Sequence, residues 1–118
     1  MEANAAPAED AVDMAADREA EEAACREDIQ CWGDEHVFTA AVACEPIIER
    51  MAEYTMEWTD GWTEPKFGYF RWKDQDAGVV TFMGDKARFQ NGFGAWSNVT
   101  YECDYDPTNE AVLDIRIE

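Results

Sequence analysis

Chemistry in this 118-residue chain has few places to reside: four cysteines, one histidine and one serine, among 27 carboxylates. Cys25, Cys31, His36 and Cys44 are the set nearest to a zinc site. They lack the close Cys-x-x-Cys knuckle that structural zinc normally uses, and Cys44 sits where a core is expected, so no metal is expected there. His36 reads as a surface residue near a helix N-terminus. It has no evident serine or cysteine partner, Ser97 stands alone, and no catalytic residue is named. The run Asp104-Tyr105-Asp106-Pro107-Thr108-Asn109-Glu110 gathers oxygen atoms, yet it lacks the glycine and closing glutamate of an EF-hand loop. It reads as a tight turn, with Pro107 presetting φ and Asp106 and Asn109 bonding locally. No cofactor is expected and the chain is read as a non-enzyme.

The cysteines are better suited to disulfides. Cys44 lies on an apolar helical stripe, and Cys103 lies on the apolar face of an alternating strand. If the helix covers the sheet the two can meet, and Cys25–Cys31 would close a short loop at the helix entrance. Four cysteines allow three pairings, and buried free thiols in a reducing compartment are the alternative.

The elements that must position these residues follow from periodicity. Val37, Ala40, Ala41, Cys44, Ile47, Ile48, Met51 and Tyr54 recur at spacings of three and four, which predicts a helix from Asp34 to about Thr55. Pro46 inside it removes one backbone donor and predicts a kink. Downstream, KFGYFRWK (66–73), GVVTFMG (78–84) and 86–91 read as strands, with Gly84-Asp85 as a hairpin turn. Gly92-Phe93-Gly94 turns the chain into a strand in which Val99, Tyr101 and Cys103 face one way and Asn98, Thr100, Glu102 and Asp104 the other. Leu113, Ile115 and Ile117 alternate in the last strand. The expected fold class is α+β: one long N-terminal helix, kinked near Pro46, packed on an antiparallel meander sheet of about five strands. Residues 1–24, rich in Ala, Glu and Asp, are expected to be an acidic disordered arm, and residues 25–118 a single domain.

The net charge is −18. Between Glu2 and Asp28 ten acids stand against Arg18 and Arg26. Direct binding to nucleic acid or to an anionic membrane surface is excluded as a leading function, because phosphate contacts need clustered Lys and Arg. No run is apolar enough to span a bilayer, and Met1 is followed by no basic start or apolar segment of a leader. Many aromatics for so small a domain imply that some are exposed. Trp62, Phe93 and Trp96, in or beside turns, are the candidate binding-surface residues.

The ordered set AAVACEPIIERM, EPKF, FQNGFGAW and YEC resembles small bacterial extracytoplasmic domains, secreted or of lipoprotein type and of unknown function. In those a helix precedes a Pro-x-Phe element, and an Asn-Gly-Phe-Gly-Ala hairpin leads to a Tyr-x-Cys strand. The resemblance spans roughly 34–118, and the chain departs from it in lacking a leader and lipobox. It implies a periplasmic or secreted location, with a cytoplasmic one as the alternative, and no known activity. The function expected is a disulfide-stapled, non-enzymatic binding or structural module acting on a protein or envelope component. The rival is an acidic nucleic-acid mimic that blocks a basic groove, as phage-type inhibitors do.

Overall fold

Asp28 breaks the helical run. Its backbone is extended (φ −108°, ψ 112°) and its carboxylate accepts from Gln30 N and Cys31 N, so it caps a new helix. The computed structural model describes the backbone of residues 2–118 and the side chains of residues 14–118. It has two helices, α1 (Glu2–Glu27) and α2 (Ile29–Met51). The α+β class holds, and the single long N-terminal helix is corrected to two. The Ala- and Glu-rich residues 2–24, expected as part of a disordered arm, lie in α1, as their helix propensity allows. The side chains of 1–13 lie outside the described residues. Those from Asp17 to Ala24 are exposed, and Cys25 is the first to join the core.

Pro46 lies inside α2 and does not end it. The helix carries the expected stripe: Ala40, Cys44 and Ile48 are fully buried on its sheet side. Its start precedes the expected Asp34, and the added turn brings in Trp32. That indole is buried and donates to Gly78 O at 2.9 Å.

The sheet has five antiparallel strands: β1 (Met56–Trp58), β2 (Tyr69–Asp74), β3 (Val79–Gln90), β4 (Trp96–Asp106) and β5 (Ala111–Ile117). β3, β4 and β5 follow one another across the sheet. β2 runs along the first half of β3 and β1 along its second half, on the same edge. Two details correct the sequence reading. Gly84-Asp85 is no hairpin turn, because β3 continues through it with a bulge between Gly84 and Ala87. A Cβ on Gly84 would stand 2.0 Å from Lys66 O and 2.6 Å from the Tyr101 ring, so this glycine permits close approach and not chain reversal. Leu113 does not point inward. The register shifts between Asp104 and Tyr105, Val112 takes the place opposite Tyr105, and Leu113 is exposed.

The core lies between α2 and the inner sheet face: Phe67, Val80, Phe82, Tyr101, Cys103 and Tyr105 pack beneath Ala40, Cys44 and Ile48. The opposite face is not simply wet. Thr81 and Asp104 are a cross-strand pair there, and Asp104 is only 1% exposed. Thr81 Oγ1 donates to Asp104 at 2.6 Å, and Arg116 spans Asp104, Glu102 and Asp114 at 2.8–3.2 Å. Arg71 reaches Glu102 at 2.8 Å and Lys73 reaches Asp104 at 3.7 Å. A layer of guanidinium and ammonium groups does on this face what α2 does on the other.

Candidate functional site

The sulfur chemistry is fully committed. Cys25 bonds Cys31 across the break at Asp28, and Cys44 bonds Cys103 between helix and sheet, with Cα atoms 5.1 and 6.5 Å apart. Both fall within the range a disulfide spans. No cysteine is free, so the sulfurs a zinc set would draw on are spent. Asp106 is likewise occupied: its carboxylate accepts from Thr108 N, Asn109 N and Asn109 Nδ2 at 2.7–3.3 Å and closes the turn before β5.

His36 is corrected from a surface residue to a half-buried one. Its ring meets Trp32 edge-on at 4.2 Å between centroids, and its Nε2 is buried without a hydrogen-bond partner. Packing against an indole is enough to explain its place.

Trp62 sits in the connection between β1 and β2 and is 98% exposed. It overhangs a groove of about 320 Å³ between this connection and the first half of α2, which Val37, Phe38, Ala41, Pro65 and Phe67 line with apolar surface. At the rim Lys66 Nζ lies 2.9 Å from Asp60 and 3.4 Å from Glu45, and 5.1 Å from the Trp58 ring centroid. Partial burial works to lower the Lys66 pKa, but the two carboxylates outweigh it and hold it above the usual lysine range. Glu64, the remaining acid of the groove, accepts from Gly61 N at 2.7 Å and reaches Lys86 at 3.3 Å. The Gly61 N–H first, then Lys86, hold its carboxyl below the usual range.

Phe93 and Trp96 lie elsewhere, on the β3–β4 hairpin. Asn91 Oδ1 accepts from Phe93 N and Ala95 N at 2.9 and 3.0 Å, Gly94 takes a φ of 82°, and Phe93 is held out at 98% exposure. Trp96 is half-buried, its ring 4.6 Å from the Arg88 guanidinium, which also pairs with Glu57. The three aromatics named from sequence therefore do not form one patch: Trp62 lines the groove and Phe93 and Trp96 do not.

Sequence reasoning missed Phe38, which is 78% exposed beside Trp62. The signal was present. Phe38 and Val42 are four apart and fall off the buried stripe of α2, which marks a second, outward apolar row.

Comparison of the chain with protein-family models, with characterised proteins and with solved structures finds no match in any of the three.

Proposed function

We propose that this chain is a small extracytoplasmic binding module, non-enzymatic and stapled by its two disulfides, that engages a protein or envelope partner through exposed aromatic side chains. The observation that carries the reading is the near-complete exposure of Trp62 and Phe93, both 98%, on a frame whose four cysteines are all paired. Large aromatics held in water by a cross-linked scaffold lose little conformational entropy on binding, which is what a recognition surface needs. Paired cysteines fit an oxidising compartment, where disulfides persist. Among the described residues no helix is long and apolar enough to cross a membrane. The rival acidic-mimic reading needs unpaired carboxylates in rows. On the open sheet face Glu102, Asp104 and Asp114 all bond to Arg116, so that face lends it no support.

The test places a photoreactive benzoylphenylalanine at Trp62, at Phe93 and, as a control, at exposed Asn109, in the cell that naturally makes the protein. The reading expects a discrete cross-linked species from one or both aromatic positions and none from Asn109. Equal cross-linking from all three, or none from any, would remove the motive for a binding surface.

A further inference from the structure

We propose that the groove between α2 and the β1–β2 connection receives a basic segment of a protein partner. An apolar side chain of that segment seats against Phe38 and Trp62, and an adjoining arginine or lysine is held by the carboxylates of Glu45, Asp60 and Glu64. The inference rests on the binding-module reading above and names the chemistry of its partner.

Shape and charge argue for it together. The groove offers about 320 Å³, space for one large side chain and part of a neighbour, over a floor made by Val37, Ala41 and Phe67. Its walls, Phe38 and Trp62, are 78% and 98% exposed and flank the same groove, so their apolar surface is open to a partner. The ionisable lining is three carboxylates and Lys66, with Lys86 reaching Glu64 from outside the groove, so the rim keeps one negative charge beyond its lysines. Lys66 is bonded to two of them, Glu45 and Asp60, so its ammonium is not offered to an incoming anion. The free face of Trp62 can stack on a guanidinium, which an indole attracts through its ring quadrupole.

The same charge argues against other occupants. A second copy of the chain would bring another −18 against the first, and would set like charges at the rim. An anionic bilayer or a nucleic acid is repelled in the same way. A cationic, partly apolar peptide gains both apolar contact and electrostatic steering.

The experiment titrates the full, oxidised chain by two-dimensional NMR with three blocked tetrapeptides of alternating sequence: Leu-Arg, Leu-Gln and Leu-Glu. The Arg peptide is expected to shift the Trp62 indole N–H and the Phe38 and Lys66 amides saturably, at least about tenfold more tightly than the Gln peptide, with no shift from the Glu peptide. Trp62→Ala and Phe38→Ala remove exposed side chains, so the fold persists and the Arg-peptide affinity falls by about tenfold or more. Added salt weakens the Arg peptide and leaves the Gln peptide unchanged. Equal binding of the Arg and Gln peptides would overturn the charge assignment. Shifts centred on Phe93 and Trp96 would overturn the groove and leave the binding-module reading standing. No shift with any peptide would overturn the proposal, while the cross-linking test still decides the broader reading.

Discussion

Asp104 shows how a single residue can be placed against its composition-based expectation. Burial alone would push its carboxyl up, but the Arg116 guanidinium, the Thr81 hydroxyl and Lys73 outweigh that and hold it below the usual aspartate range. Glu102 is lowered too, by Arg116 first and Arg71 second. A depressed folded-state pKa adds stability that is full above the unfolded-state value and is lost as pH falls through the folded one. The chain is therefore expected to hold its melting temperature from neutrality down to about pH 4 and to lose it below. Arg116→Met leaves Asp104 buried with only Thr81 and Lys73. It should cost about 3 kcal/mol at pH 7 in urea unfolding and move the acid transition upward. An unchanged acid limb in that variant would show that the network is ornamental to folding.

Tyr101 gives the opposite limb. Its hydroxyl donates to Lys66 O and accepts from Lys86 N, tying the bulge in β3 to the connection that leads into β2. Burial pushes its phenol up to about 12. The stability this reflects is full below the unfolded tyrosine pKa of about 10 and is lost as pH rises towards the folded value. Alkaline unfolding should thus begin above pH 10, and Tyr101→Phe should flatten that limb. The same change leaves Lys66 O and Lys86 N without their partner, a loss of about 1–3 kcal/mol at neutral pH. Thermal melts at pH 7 and pH 11 read both effects.

At the scale of elements, the staple between α2 and β4 carries the largest expected effect. Cys44–Cys103 spans 59 residues and Cys25–Cys31 spans six. On the loop-entropy account the first contributes about 4 kcal/mol and the second about 2 kcal/mol. Replacing Cys44 and Cys103 together by alanine should therefore lower the unfolding free energy about twice as much as replacing Cys25 and Cys31, measured by guanidinium titration. Gly84→Ala forces a methyl against the Lys66 carbonyl and the Tyr101 ring. Neither can withdraw easily, so the change should cost about 1–3 kcal/mol.

That glycine also marks where the sequence stops being readable. The stripe of α2 and the alternation of β4 were legible, because burial on one face writes itself into local spacing. Gly84-Asp85 has the local chemistry of a turn, and only the approach of residues 66 and 101, distant in sequence, shows that it is a bulge. β1, three residues long, leaves no period to detect, and its pairing with 87–89 replaces a strand that the false turn had created. Asp104 reads as wet because an arginine side chain, Arg116, and not a backbone element covers it. Cys44 and Cys103 were readable as neighbours because each lay on a face whose direction was already fixed. The candidate site was only half legible: Trp62 stood out beside Gly61, but its groove depends also on Phe38, on an outward row of α2 that stays exposed.

The molecule as a whole joins a small cross-linked core, a charge of −18 and a few aromatics held in water. A net charge of this sign repels polyanions. The disulfides supply rigidity that so small a core supplies poorly by itself. Both parts of the functional reading, the compartment and the rigid binding face, require that the cysteines be oxidised where the protein works. The direct measurement is maleimide labelling of the denatured, unreduced chain taken from the cell that makes it, followed by peptide mass mapping. The account predicts no labelled cysteine, with the peptides holding Cys44 and Cys103 joined to one another. Four labelled thiols in protein that was fully folded before denaturation would contradict it.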